Sequence, residues 1–515
     1  MQGTATVPTS TANSAHISSR QLWLIMGGVF AGMGMAALDQ SIVGTALPQI
    51  VSDLGGLDHM AWVVTAYLLT STSTTLLWGK ISDLFGRKII FQSAIIIFLV
   101  GSMLCGLAQS LIQLIAFRAL QGIGGGALIA IAFAIVADVV PARERGKYQG
   151  YIGAVYGASS VAGPLLGGYL TDAISWRWIF YVNIPIGAVA LILTTVGLRK
   201  PLARIHQQID YLGAALILAS VTSLLLYINW AGSHYGWTDL RALAFVAAFV
   251  ILLVIFLVVE WKVAPDPILK LSDFRNPVFR VGSIFSLLIG FVMFGGVIYL
   301  PLYFQTVMGM SPTRSGLALL PLVGGAVLTA WASGLLITKT GKYKIYPIIG
   351  SVLMAVGLYL LSRIKFDTDY TMIAIYIGVF GLGLGLSLTT IIVPVQSAMP
   401  ESENGVVTST LTFLRSLGGA VGVGVFGAVL TEQLKSYLKK EISEMPGVED
   451  MRLHLTTNNV DMIKSLPTPL RDDVLKAYTH AIADIYLVSI PAAILAFAVV
   501  IFLKEIPLRS DIDEP

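Results

Sequence analysis

Apolar runs of about 20 residues, the length needed to cross a hydrocarbon core about 30 Å thick, recur along almost the whole of this chain. Fourteen can be placed, near 21–44, 60–79, 89–108, 112–136, 148–170, 178–198, 210–230, 241–261, 281–305, 313–338, 346–364, 371–395, 405–430 and 481–503. A bilayer core offers no water to backbone N–H and C=O groups, so runs of this length fold as helices that satisfy their own backbone. Residue usage agrees, since 56% of the 515 residues are hydrophobic and 12% charged, against about a quarter charged in soluble domains. The expected fold class is an all-α polytopic membrane protein with fourteen transmembrane helices.

An even number of spans puts both termini on one side. Loops after even-numbered spans carry Lys80, Arg87, Lys88, Arg143, Arg145, Lys147, Arg199, Lys200, Arg204, Lys339, Lys342 and Lys344, whereas the short loops after odd-numbered spans carry few bases. The positive-inside rule then places the termini in the cytoplasm and the protein in the plasma (cytoplasmic) membrane. Because the bases sit in short clusters between apolar runs, the formal charge of +4 sets orientation and does not indicate nucleic-acid binding. Cys105 is the one cysteine, so no intramolecular disulfide forms. Residues 1–20, rich in Ser, Thr and Ala and lacking an A-x-A-like cleavage site, read as a disordered cytoplasmic tail, and 504–515 as a second cytoplasmic tail. The long extracellular loop 431–480 has nearly balanced acids and bases. Its apolar residues, Leu434 and Leu438 among them, form either an interfacial hairpin on the outer mouth or part of a solvated loop.

No G-x-x-x-x-G-K-[ST] occurs, so the chain has no P-loop for ATP, and no His-Glu-x-x-His cluster or Cys pair offers metal ligands. No cofactor, metal or catalytic residue is expected, and any transport must draw on a gradient. Gly79–Lys88 after span 2 and Gly334–Lys342 after span 10 are weak copies of one another, as in a transporter built by duplication. Six spans in 21–198 and six in 281–503 then flank two inserted spans within 199–280.

Three polar constellations stand out within this apolar background. In the segment Gly79, Asp83, Gly86, Arg87 and Lys88, the glycines permit tight turns. The carboxylate can meet a neighbouring helix N-terminus or Arg87, tying helices together in one conformation and releasing them in another. In span 1, Asp39 lies toward the outer half of an apolar helix, a costly place without a cavity or partner. Desolvation favours its protonated form and a nearby cation its charged form, so a changing environment can load and release a proton; a purely structural Asp is the plainer reading. In span 4, Arg118 and Gln121 lie well inside the membrane, where a guanidinium needs acceptors or water. Bonding to backbone carbonyls is the plainer reading there.

The segment Gly79–Lys88 resembles the loop signature G-x-L-x-D-r-x-G-r-k of the major facilitator superfamily, with Ile81 for Leu and Leu84 for a base. The run Leu38–Pro48 is similar to the L-D-x-T-I-V-N-V-A-L-P signature of its fourteen-span drug:proton antiporters, with Ser41 for Thr and Gly44-Thr45 for Asn-Val. Arg118, Gln121 and Gly122 match R-x-x-q-G. Gly150, Ser159, Gly163, Pro164, Gly167 and Gly168 in span 5 follow the antiporter signature g-x8-G-x3-G-P-x2-G-G, with Ser159 at its middle Gly. The resemblance implies a major facilitator fold of two six-helix bundles plus two inserted helices. It also implies proton coupling through Asp39 and Arg118, a conformational latch at Gly79–Lys88, and a cavity reached by Trp62, Thr65, Tyr67 and Gln121. Trp176, Arg177, Trp178, Phe180, Asn183 and Pro185 also resemble this subfamily but read better as an interfacial aromatic belt.

The function so implied is export of lipophilic drug-like compounds in exchange for protons by alternating access, by a monomer contacting membrane lipids. Alternatives are lipid or metabolite export or nutrient import on the same scaffold and, more distantly, a membrane enzyme or receptor. Between residues 281 and 430 no Asp or Glu falls at mid-membrane depth. Neutral or monovalent cationic substrates are therefore expected, with Asp39 serving protons and cations in competition. Dications should be poor substrates unless Asp484 faces the cavity.

Overall fold

The computed structural model describes residues 18–54, 60–198, 210–231, 236–265, 267–400, 403–441 and 467–507, and among them there is no strand. The first half comprises α1 (Ser19–Leu54), α2 (Met60–Phe85), α3 (Arg87–Leu107), α4 (Leu111–Val139), α5 (Ala142–Ala173), the short α6 (Trp178–Tyr181) and α7 (Asn183–Gly197). Then come α8 (Tyr211–Ala231) and α9 (Leu240–Lys262), followed by a 3-10 turn at Leu271–Arg275. The second half comprises α10 (Pro277–Thr306), α11 (Pro312–Ala318), α12 (Leu320–Thr340), α13 (Ile345–Leu361), α14 (Tyr370–Leu388), α15 (Ile392–Ser397), α16 (Asn404–Glu441) and α17 (Thr468–Ile501).

Eleven stretches of the described residues are helical, long enough and apolar enough to cross a membrane. The three other expected spans fall on α2 and α5, which are long but interrupted by polar and small residues, and on α13, an apolar helix of 17 residues. Large apolar side chains cover the outside. On α9, Val250, Ile251, Val254, Ile255 and Trp261 are all exposed, and few of its side chains are buried. An apolar face of that size is at home in lipid and not in water.

Helices α2 and α3 pack on α4, and α5 and α7 pack on α1; in the second half α16 and α17 pack on α10, and α12 and α13 on α14. The two groups meet where α5 lies along α12 and where α16 lies along α2 and α4. Helices α8 and α9 pair with each other, and α8 also touches α2 and α16. Glycines allow the closest approaches, as membrane helices without a hydrophobic driving force between them require. A Cβ on Gly122 would strike the Tyr67 carbonyl, and one on Gly126 the Ser71 carbonyl.

Several expected boundaries shift. The loop expected at 431–480 is much shorter, because α16 runs on to Glu441 and α17 starts at Thr468. Leu434 and Leu438, one turn apart, and Leu470 and Val474 are buried, so an apolar stripe carries both helices past the expected ends. The remaining apolar residues of that loop, 442–466, lie outside the described residues, as do 1–17 and 508–515. The span expected at 371–395 breaks after Leu388 and resumes as α15. The two halves of the suspected repeat also share a backbone feature. Gly86 (φ 95°) and Gly341 (φ 69°) both have a positive φ after α2 and α12, where a side chain would be strained.

Candidate functional site

Asp39 on α1 and Arg118 on α4 form a fully buried pair, with Nη1 2.5 Å from Oδ2. The same Nη1 donates to Gln121 Oε1 at 2.7 Å, and Arg118 Nε donates to the Val63 carbonyl at 3.2 Å. Oδ1 of Asp39 accepts from Gln121 Nε2 at 2.8 Å and from Asn183 Nδ2 at 3.1 Å. Asn183 Nδ2 also donates to Ser102 Oγ (2.9 Å), whose hydroxyl donates to the Phe180 carbonyl. The Tyr67 ring covers the guanidinium, 4.3 Å from its carbon. Four helices thus converge on one carboxylate and one cation, each satisfied by charge-assisted bonds, as a buried pair in a low-dielectric interior requires.

This arrangement corrects three expectations. Tyr67 and Gln121 do not line the cavity described below; they are completely buried around Arg118. Trp62 is not on its wall either and packs edge-to-face on Trp230 of α8 at 5.7 Å. Asn183 and Phe180, read as part of an aromatic belt, belong to the buried network. The side chains of Thr65 and Pro164 lie outside the described residues. Cys105 is buried with Sγ 3.7 Å from Gln121 Oε1.

A cavity of about 760 Å³ lies between the two helix groups, within the range of pockets that hold one drug-sized molecule. Its wall is mostly apolar and aromatic and draws on α1, α2, α4, α5, α8, α10, α14 and α16, with Gln40, Tyr156, Thr412 and Arg415 as polar members. At one end lie Trp237 from the α8–α9 connection and Glu432 and Lys435 of α16. Asp39 does not reach the wall, but its neighbour Gln40 does and accepts from Tyr156 Oη at 3.2 Å. The expected competition of protons and cations for a cavity-facing Asp39 is therefore not offered in this conformation, because the carboxylate is enclosed by Arg118, Gln121 and Asn183. Asp484 is also off the wall and accepts from Tyr437 Oη at 3.0 Å.

The opposite end is shut by α2 against the start of α16. Gly79 packs so tightly on Ser409 and the Gly405 carbonyl that any Cβ would collide. Asp83 Oδ2 accepts from the backbone N–H of Val406 (3.1 Å), one of the orphan donors of the α16 N-terminus. Arg87 pairs with Asp83 and, through Nε at 2.7 Å, with Asp138 of α4, and it donates to Ser82 Oγ. Lys88 is apart from this cluster and donates to the Thr195 carbonyl. Lys270, after α9, pairs with Glu403 just before α16. Nearby in the same linker, outside the spans, burial and then Glu403 push the Asp273 carboxyl above its ordinary range.

Helix α5 carries its small residues on two faces. Gly150 meets Ala330 and Trp331 of α12, whereas Gly163 meets Ser41 of α1. Ser159, at the place of a signature glycine, uses its hydroxyl to donate to the Gly34 carbonyl (3.2 Å) while its own carbonyl accepts from Ser41 Oγ (3.0 Å). Gly167 and Gly168 follow toward the end of the same helix.

Sequence reasoning missed Ser102, Asp138, Thr412 and Arg415. The last had a signal: a charged residue inside the apolar run 405–430 marks a functional position by default.

Comparison with known proteins places this architecture. A multidrug transporter protein, MdtP, of Bacillus subtilis is 36% identical over 87% of this chain and 84% of its own length. Multidrug resistance protein 3 of Bacillus subtilis is 33% identical over 98% of both. An uncharacterized MFS-type transporter of Mycobacterium tuberculosis is 35% identical over 99% of this chain and 73% of its own. Among solved structures, the human organic anion transporter MFSD10 (TM-score 0.62, 14% identity, 92% of this chain and 99% of that one) shares the fold. So does the proton:xylose symporter XylE (TM-score 0.59, 15% identity, 95% and 97%). Residues 29–423, which hold the buried ion pair, the Gly79–Lys88 segment and most of the cavity wall, match the Major Facilitator Superfamily, and the chain is a multi-pass membrane transporter belonging to that family.

Proposed function

We propose that this transporter exports lipophilic drug-like compounds across the cytoplasmic membrane in exchange for protons, by alternating access. The observation that carries the reading is the buried Asp39–Arg118 pair, one residue from the wall of a drug-sized cavity that is shut at the Asp83 end. A proton and Arg118 compete for the same carboxylate. Protonation of Asp39 removes the attraction that holds α1 to α4, and re-formation of the pair expels the proton, so proton movement is linked to a helix rearrangement.

Lys80, Arg87, Lys88 and Arg145, from loops expected in the cytoplasm, lie at the Asp83 end, which supports fourteen spans with both termini cytoplasmic. On that assignment the present conformation is closed to the cytoplasm, with the cavity reaching toward the outer face. Asp83, Arg87 and the α16 N-terminus form the latch; its release opens the inward-facing state. Two six-helix bundles moving about the α5–α12 and α2–α16 contacts, with α8 and α9 inserted beside them, agree with the packing. The two multidrug relatives support drug-like substrates.

The test is accumulation of a lipophilic dye in proteoliposomes under an imposed pH gradient. Wild type should concentrate the dye against its own gradient and lose this ability when a protonophore is added. Asp39→Asn, corrected for the amount of folded protein, should not concentrate it at all. Dye accumulation that persists without a proton gradient refutes the reading.

A further inference from the structure

Among the described residues the buried arginines are all satisfied. Arg87 has Asp83 and Asp138, Arg118 has Asp39, Gln121 and Val63, and Arg145 bonds the Val140 and Ala137 carbonyls. Arg415 is different. Half-buried, it lines the cavity, and its guanidinium has no hydrogen bond and no ion pair among the described residues; its neighbours are the Phe133 ring, 5.8 Å away, and Tyr156 of the same wall. One turn before it, the Thr412 hydroxyl is a buried polar atom of the same wall without a hydrogen-bond partner. The acid on the wall, Glu432, lies 17 positions further along α16, about 25 Å at 1.5 Å per residue. Lys435 neighbours it one turn on. The deep part of the cavity therefore carries a net positive charge, set by a residue that cannot lose its proton.

We infer that the cavity selects amphipathic organic anions, with a carboxylate or phosphate head on Arg415 and Thr412 and an apolar body against the aromatic and aliphatic wall. Five N–H donors in a fixed fork suit a two-oxygen anion, and the interaction strengthens where water is excluded. A cationic ligand meets the reverse: it brings a second positive charge beside Arg415 with no carboxylate near enough to offset it. This replaces the neutral or monovalent cationic substrates expected from Asp39, which Arg118 already occupies. The inference deepens the export reading and rests on it for the direction of transport alone, because binding needs no gradient.

The experiment is equilibrium binding to the purified full-length protein in detergent, read by fluorescence anisotropy, with three pyrene probes of nearly equal size: 1-pyrenebutyrate, its methyl ester and a pyrenebutyl trimethylammonium. Wild type should bind the carboxylate about tenfold or more tightly than the ester or the cation, the scale of a charge-assisted bond. Arg415→Gln should erase that preference, and Arg415→Lys should keep part of it. Equal affinity for the three probes in wild type, which needs no variant to fold, overturns the inference, and so does an unchanged preference in Arg415→Gln. Competition separates the sources of the anion: displacement by phosphatidylglycerol but not phosphatidylcholine assigns the site to a lipid head group, and no displacement by either assigns it to soluble organic acids. Anion-selective binding without proton-driven transport leaves this inference standing and removes the export reading. Proton-driven transport without charge selectivity does the opposite.

Discussion

Removing the charge of Asp39 alone should destabilise the protein by several kcal/mol, and removing Arg118 with it should restore much of that loss. Asp39→Asn keeps an acceptor for Gln121 and Asn183 but presents either a neutral oxygen or an N–H to Arg118 Nη1, which now sits 2.5 Å from a carboxylate oxygen. The guanidinium stays charged and enclosed. Loss of one partner of a buried pair costs about 3–5 kcal/mol. The Val63 carbonyl, Gln121 Oε1 and the Tyr67 ring remain as partners, which argues for the low end, about 3 kcal/mol. In Asp39→Asn/Arg118→Gln no charge is buried, so the two substitutions should couple by about 2 kcal/mol or more. Reversible unfolding of the four proteins in mixed micelles, followed by tryptophan fluorescence, gives the cycle. Losses that simply add, within about 0.5 kcal/mol, refute the idea that the pair is a mutually dependent unit.

Asp83→Asn should weaken the bond to the α16 N-terminus and release the latch. Ser409→Cys in a Cys105→Ala background should then react with a maleimide from the Asp83 end about tenfold faster, the scale of losing one charged hydrogen bond; an unchanged rate counts against a latch. Gly86→Ala should cost about 1–3 kcal/mol through its positive φ, seen as a lower unfolding midpoint, whereas no change means that the turn relaxes at little cost. Bis-quaternary dications should be transported far more slowly than a neutral dye of similar size, because the deep cavity holds Arg415 and no carboxylate. Robust dication transport by wild type contradicts that reading.

How much of this was legible in the sequence follows from the physics of each feature. Asp39, Arg118 and Gln121 stand out because polar groups are costly in apolar helices, and they do meet. Which way they face was not legible: depth along a helix follows from counting, but rotation follows from packing. Tyr67 was thus assigned to the cavity although its ring lies on Arg118. Ser102 and Asn183 were inconspicuous because short polar side chains occur in many membrane helices, and Asn183 sits among aromatics. Arg415 is legible as a charge inside the apolar run 405–430, but the sequence does not tell that it faces the cavity with no acid beside it. The extension of α16 was hidden by Lys435, Lys439 and Lys440 and that of α17 by Arg471, Asp472, Asp473 and Lys476, charges that make half-buried helices look like a solvated loop.

The central claim is that transport is driven by protons through Asp39. Proteoliposomes loaded with a pH-sensitive dye report proton flux while labelled substrate reports transport. Substrate added against a pH gradient should cause proton movement in the opposite direction in wild type, and none in Asp39→Asn. That variant should still exchange labelled for unlabelled substrate, which needs no net proton movement. Substrate accumulation without proton movement, or proton movement that survives in a folded Asp39→Asn protein, would contradict the account.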